Sequence, residues 1–480
     1  MQAQATLAPS WIGNTNAQFG AETLLAVLNP ATEEVLASIP VEGEAGVRAA
    51  VTAAAEAFPA WAALAPNRRR QYLHEAAAKV RANEASIAHL LTLENGKPLA
   101  QARAEVRGAA ALLEEYGELA VHFRSGVQAA NAGELVMQRW EPRGVSACIV
   151  PWNFPLQLCM ETVAPNLAVG NTVVLKPSEK TPLATRLIVT TCFDAFPPGV
   201  CNLLLGDGPT TGDALIRHPL IETVMFIGSV GTGRRIGQTI GATTKRAILE
   251  LGGKDPLIID ETVDVDQAVK FAADACFANA GQICTSTERV YVHRTIFGRF
   301  VERLAQLSRD YRVGNGLEDG VQMGPLIDDV QLTKVEMHVA QAVERGATLV
   351  SGGKRISGPG FFYLPTVMTD VNHDMLLMRE ETFGPIAPVM AFDDFDEAIA
   401  LANDSDYGLA GIVLTTSATR VMQATQQLKV GMLKVNAPRG KAPGASSEPF
   451  KCSGLGAGYG VEVLQALTRQ KSVQWRQQLV

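Results

Sequence analysis

Cys284 lies in Asn279-Ala280-Gly281-Gln282-Ile283-Cys284-Thr285-Ser286, a run of small and polar residues. A thiol reacts as its thiolate and must be reachable, and this flank suits an accessible thiol without by itself making a nucleophile. The other cysteines read differently. Cys148, Cys159, Cys192, Cys201 and Cys276 have aliphatic neighbours, as small buried hydrophobes do, and Cys452 sits in a Gly/Ser-rich segment that leaves its role open. Glu250 stands in Ala247-Ile248-Leu249-Glu250-Leu251-Gly252-Gly253-Lys254. A carboxylate in an apolar run is costly unless it is paired or used, so a buried salt bridge and a functional carboxylate are both open. Asn153, in Pro151-Trp152-Asn153-Phe154-Pro155, is a third polar group in an apolar setting. Either it caps the helix that follows, or its amide donates to a developing oxyanion.

Two glycine-rich turns could bring backbone close to an anion. Gly206-Asp207-Gly208-Pro209-Thr210-Thr211-Gly212 and Gly228-Ser229-Val230-Gly231-Thr232-Gly233 each follow a strand pattern and open a helical one. Such turns bind phosphate at a helix N-terminus, or are simply tight βα connections. His74, His89, His122, His218, His293, His338 and His373 show no metal-like spacing, so neither a metal site nor a Cys–His dyad is expected.

The elements that must position these residues follow from periodicity. Val47, Val51, Ala54 and Phe58 recur at helical spacing, as do Val106, Ala109, Leu113 and Tyr116, so the first part reads as helical. Gly126 to Arg143 is polar and punctuated by Gly and Asn, and reads as extended ribbon. From Ser146 short aliphatic runs alternate with helical ones. The predicted strands are Ser146–Val150, Thr172–Lys176, Asn202–Leu205, Thr223–Ile227, Ala247–Leu251 and Pro256–Ile259, with helices starting near Leu156, Pro182, Pro209, Gly231 and Val265. A second series places strands at Arg289–Val292, Thr348–Val350, Ile386–Phe392, Leu409–Leu414 and Val430–Val435. Its helices are Ile296–Arg309, Val330–Arg345 and Phe395–Asn403. Strands with little polar alternation, separated by helices, predict α/β lobes built on doubly wound parallel sheets, joined near residue 253 around a ligand-binding cleft.

Length and composition agree. A chain of 480 residues is too long for one core and implies two or three domains. Hydrophobic residues make up 47% and charged residues 19%, which excludes a disordered chain. The net charge of −7 gives no general attraction for phosphate backbones or anionic membranes, so neither nucleic acid nor membrane is an expected partner. The uncharged stretch Gly144–Met160 is short and broken by Pro151, Asn153 and Pro155, unlike a spanning helix. Seven scattered cysteines argue against a disulfide scaffold, and no Lys or Arg precedes Arg48 to begin a signal or transit peptide; a cytoplasmic protein is expected.

Taken together, the segments resemble the aldehyde dehydrogenase superfamily. The matching blocks are PWNFP at 151–155, LKPSEKTP at 175–182, FIGSVGTG at 226–233, ELGGK at 250–254, GQICTS at 281–286 and EETFGP at 380–385. They occur in the family's order, with Glu250 34 residues before Cys284 and Glu381 97 residues after it. The resemblance implies two Rossmann-like lobes and a small β-ribbon. Residues 1–119 and 143–252 would bind cofactor, 253–452 would form the catalytic domain, and 120–142 with 464–480 would form an oligomerisation ribbon. It implies Cys284 as nucleophile, the Asn153 amide and Cys284 N–H as oxyanion donors, and Glu250 as general base. Lys176 and Glu179 would hold the adenosine ribose, with Pro177 and Ser178 in the same block. Glu381 would hold the nicotinamide ribose beside Phe383, with Trp152, Gly208, Gly228, Ser229, Gly233 and Leu251 bordering the cofactor. A carboxylate at Glu179 would repel a 2′-phosphate, so NAD+ is expected over NADP+, and a homodimer or homotetramer is expected.

Two departures bear on substrate. Ser446-Ser447-Glu448-Pro449-Phe450-Lys451 replaces the family's usual Pro-Phe-Gly-Gly-x-Lys, which puts the aromatic wall of the substrate tunnel in question. Glu161 stands where members often carry Trp or Arg. That counts against a succinate-semialdehyde-like specificity and favours either a cationic or hydroxylated aldehyde or a plain salt bridge. The block from Cys284 to Tyr291 resembles lactaldehyde- and glycolaldehyde-type members and leans towards small polar aldehydes. The alternatives are a CoA-acylating or esterase-like thiol enzyme, and a catalytically silent homologue.

Overall fold

The computed structural model describes residues 6–131, 134–437, 442 and 444–476. Five parallel strands form the centre of the first sheet: Cys201–Leu203, Thr172–Lys176, Val145–Ile149, Ile221–Ile227 and Arg246–Glu250, side by side in that order. Successive side chains of a strand point to opposite faces, and both faces here are dry. Val173 and Leu175 enter a core with Trp61, Tyr116 and Leu167, while Val174 between them enters another with Val47, Leu215 and Ile236. Each such side chain contributes about 1.5–3 kcal/mol by burial, and the continuous aliphatic runs follow from the double cover.

The helix Pro155–Val169 starts on a proline and ends at left-handed Gly170 (φ 104°), yet its N-cap, Phe154, makes no side-chain bond. Its first amides, Leu156 and Gln157, donate instead to buried Glu105 of helix Leu99–His122, at 2.9 and 3.3 Å. Helix Leu183–Cys192 is capped in the same way: the Leu183 and Ala184 amides donate to Glu94, whose carboxyl burial pushes up to about 8.

The second sheet runs Thr348–Ser351, Thr366–Thr369, Ile386–Phe392, Thr287–His293, Asp255–Ile259, Ala410–Leu414 and Met432–Val435, around a core with Ile258, Phe277, Tyr291, Phe300 and Phe392. Only Leu251 to Lys254 separate the last parallel strand of the first sheet from an inner strand of the second, Asp255–Ile259. A three-stranded ribbon pairs Thr468–Arg476 with Glu134–Pro142, and the latter with Gly126–Asn131.

Several expectations need correction. The first sheet is parallel only in its interior, and the second is parallel except at one edge. The antiparallel strands Ser10–Ile12 and Thr15–Ala17 extend one side of the first and Gly454–Leu455 the other, and Thr348–Ser351 adds an antiparallel edge to the second. The first part is helical from Glu44 to His122, but four strands precede it, including the hairpin Leu24–Leu28 with Val35–Pro40. Leu24 and Val35 are exposed, so no buried alternation announces that hairpin. Strand Thr366–Thr369 and helix Ala418–Gln427 were also not predicted; the helix is short and buries only Ala424. The helix expected near Pro209 begins as a wide turn over Gly208–Gly212 and is α-helical only from Asp213 to Arg217. Of the segments assigned by resemblance, residues 1–5, 132–133, 438–441, 443 and 477–480 lie outside the described residues.

Candidate active site

Helix Val265–Phe277 delivers the chain to a tight turn in which Asn279 (φ 50°), Ala280 (φ 55°) and Gly281 (φ 71°) are all left-handed. Only glycine fits the third position, because a Cβ there would overlap the Gly384 carbonyl. Gln282 then locks the turn. Its amide donates to the Asn279 carbonyl at 3.1 Å and accepts from the Ile327 amide at 2.9 Å. The half-buried Cys284 follows, while Cys148, Cys159, Cys192, Cys201 and Cys276 are buried and Cys452 is half-buried.

Asn153 leaves the end of strand Val145–Ile149 and is buried. Its side-chain amide donates to the Gln282 carbonyl at 3.1 Å, two residues before Cys284. It does not cap the following helix, because Glu105 does. The loop is also held from behind: Asn95 donates to the Trp152 carbonyl at 2.8 Å, and Lys97 donates to the Asn153 carbonyl at 2.8 Å.

Two cavities share Cys284 as wall, together with Leu158, Ile227 and Leu251. The first, of about 180 Å³, is bounded by Trp152, Asn153, Gly228, Ser229, Glu381 and Phe383. The second, of about 230 Å³, is bounded by Phe154, Gln157, Glu161, Glu250, Thr285 and Lys434. Glu250 ends its strand against Gly458, where any Cβ would strike the carboxylate. The Gln157 amide donates to buried Glu161 at 3.3 Å. Among the described residues, the segment 446–451 contributes to neither wall.

On the first cavity, Glu381 accepts from the Gly253 amide at 3.2 Å. Burial pushes its carboxyl up to about 7, and the nearby Glu288 adds to the rise. Phe383 meets Trp152 edge-on, ring centroids 5.4 Å apart. The Glu381–Phe383 loop hangs on Glu288, which accepts from the Thr382 and Phe383 amides at 2.7 and 2.8 Å and is neutralised by buried Lys254 at 2.6 Å.

Lys176, Pro177, Ser178, Glu179, Gly208 and Gly233 lie outside this cavity. Lys176 ends strand Thr172–Lys176 with its ammonium buried, bonded to the Pro177 carbonyl at 3.0 Å and 3.8 Å from Glu179. Burial draws its pKa down, opposed by Glu179 and Asp207. Gly233 packs directly on Leu251. At the turn before Gly208, the Thr210 and Thr211 amides are already taken by the Asp207 carboxylate, at 2.8 and 3.2 Å. That turn is therefore a tight connection rather than a phosphate cradle. Ser229 caps its helix at the Thr232 amide, 3.3 Å away.

These residues fit a nicotinamide dinucleotide. A buried ammonium beside a carboxylate offers both partners a ribose diol needs, and the first cavity pairs an acceptor with aromatic faces. Gln331 and Lys334 also line that cavity, and Lys434 the other; the sequence reading did not single them out. Nor did it single out Lys97, Glu105 and Glu288. Charged residues in helices, at helix ends and in strands such as Thr287–His293 look like solvated surface until tertiary packing buries them. Among the described residues, no three His, Cys, Asp or Glu side chains group as metal ligands, and no helix is long and apolar enough to cross a membrane.

Comparison with known proteins agrees with this geometry. The sequence model of the aldehyde dehydrogenase family matches residues 17–473. The chain is 38% identical over 457 residues to lactaldehyde dehydrogenase of Escherichia coli, covering 94% of this chain and 95% of that one. It is 36% identical over 464 residues to succinate-semialdehyde dehydrogenase [NADP(+)] of the same organism, covering 96% and 95%. The crystal structure of the E. coli lactaldehyde dehydrogenase superposes with a TM-score of 0.95 at 36% identity, covering 98% of this chain and 99% of that one.

Proposed function

The chain belongs to the aldehyde dehydrogenase family and oxidises aldehydes with NAD+ or NADP+, and from that premise we propose that Cys284 is its nucleophile. The observation that carries the proposal is the shared wall: one sulfur borders a cavity holding Glu381 and Phe383 and a second holding Glu250.

An aldehyde carbon cannot give up hydride directly without becoming an acyl cation. Addition of the Cys284 thiolate moves the carbonyl electron pair onto oxygen, where the second Asn153 amide hydrogen and the Cys284 backbone N–H donate. The bound nicotinamide supplies the hydride acceptor. Loss of hydride from that carbon leaves a thioester on Cys284. Glu250 then takes a proton from water as the water oxygen adds to the thioester carbon, and collapse breaks the C–S bond, expelling the Cys284 thiolate and leaving the carboxylic acid. Glu250 favours hydrolysis over transfer of the acyl group to CoA, and NADH release with no CoA present distinguishes the two.

Lys176 and Glu179 bind the adenosine ribose, with Pro177, Ser178, Gly208, Gly228, Ser229, Gly233 and Leu251 along the groove; Glu381 and Phe383 hold the nicotinamide end. Glu179 disfavours a 2′-phosphate, so NAD+ is preferred; a higher kcat/KM with NADP+ overturns this. The substrate is a small hydroxylated aldehyde, because the second cavity sets Gln157, Glu161, Thr285 and Lys434 among apolar walls. An aldehyde panel read as NADH formation tests both points. Hydroxylated aldehydes are expected to exceed aliphatic, aromatic, cationic and carboxylate-bearing ones in kcat/KM, and a preference for succinate semialdehyde sinks the assignment.

Residues 1–119 and 143–252 serve the cofactor and 253–452 the chemistry, in the cytoplasm. Segments 120–142 and 464–480 assemble a homodimer or homotetramer, although Leu464 and Leu467 also belong to the core of the first sheet.

A further inference from the structure

We propose that the buried ion pair of Lys97 and Glu105 positions the oxyanion donor Asn153, an assignment that rests on the reading of Asn153 given above. Neither side chain lines either of the two cavities at Cys284, and both are wholly buried. Lys97 follows left-handed Gly96 at the end of helix Glu84–Asn95, and Glu105 lies one to two turns into the next helix. Their charged atoms are 2.5 Å apart. Burying such a pair is no net source of stability, because desolvation cancels most of the attraction. Its remaining bonds show where it acts.

Lys97 spends a second hydrogen on the Asn153 carbonyl at 2.8 Å, and its ammonium lies 3.9 Å from the centre of the Phe154 ring. Glu105 accepts from the Leu156 and Gln157 amides. One ion pair thus grips residues 153, 154, 156 and 157. Bonds to charged groups are shorter and stronger than neutral ones, so this grip is stiff. The Asn153 side chain needs that stiffness. One amide hydrogen is engaged by the Gln282 carbonyl at 3.1 Å, and an oxyanion donor is effective only when it is already aimed.

The test is a double-mutant cycle on the first-turnover rate of NADH formation. Lys97→Met and Glu105→Gln are each made in the natural chain and in Asn153→Ala. In the natural chain, Lys97→Met is expected to slow that step about tenfold or more. In the Asn153→Ala background it is expected to cost less than about twofold, since the group it aims is gone. Glu105→Gln keeps the shape and the helix acceptor. It carries the same cycle if Lys97→Met does not fold, with a smaller slowing that also vanishes. Equal slowing in both backgrounds overturns the proposal, because the pair then acts on the fold alone. If Asn153→Ala itself leaves the rate unchanged, the oxyanion reading fails, and the positioning role fails with it.

Discussion

Glu381 keeps its proton to about pH 7, because burial and Glu288 outweigh Lys334 and Lys254. In the proposed nicotinamide-ribose contact the diol would donate to the carboxylate, so proton and cofactor would compete. The apparent Kd for NAD+ is expected to weaken about tenfold from pH 8 to pH 6, as one competing proton requires. Glu381→Gln is expected to bind more weakly and to lose this pH dependence; an unchanged slope in that variant refutes it. The sign for the cofactor-free chain is set by the raised carboxyl. Its contribution to stability is present below the ordinary glutamate value of 4.5 and is lost as pH rises through about 7. At this scale the sequence was informative where chemistry demands an odd residue. Cys284 among small polar neighbours lines both cavities, and Glu250 in an apolar run lines the second. Lys97, Glu105 and Glu288 were invisible, because a lysine or glutamate in a polar segment reads as solvated until packing buries it.

The turn that presents Cys284 is built from three left-handed residues, and Gly281 meets the Gly384 carbonyl with no room for a side chain. Gly281→Ala therefore pushes apart the two loops that carry Cys284 and Phe383. It is expected to destabilise by about 1–3 kcal/mol, seen as a lower denaturation midpoint, and to depress kcat/KM disproportionately. A variant with native midpoint and activity contradicts this account. Elements with two dry faces or clear helical spacing were readable: Thr172–Lys176, Ile386–Phe392 and Phe395–Asn403 match the predicted limits. The hairpin Leu24–Leu28 with Val35–Pro40 was not, because an exposed edge carries no hydrophobic period.

For the whole molecule, the ribbon leaves strand Thr468–Arg476 at a sheet edge, with Trp475 62% and Val127 61% exposed. Removing residues 470–480 is expected to convert a dimer or tetramer to monomer in light scattering, and an unchanged mass refutes the assembly role of the tail. Sequence alone determined the family, the alternation of strands and helices, and the cysteine that stands apart, since these depend on residue type and spacing along the chain. Tertiary structure decided the rest. The Leu251–Lys254 crossover brings two sheets together so that one sulfur borders two cavities. Packing also places a lysine from one helix end and a glutamate from the next helix behind Asn153. Local spacing cannot encode such a meeting, because burial and charge pairing arise only when segments distant in sequence exclude water together.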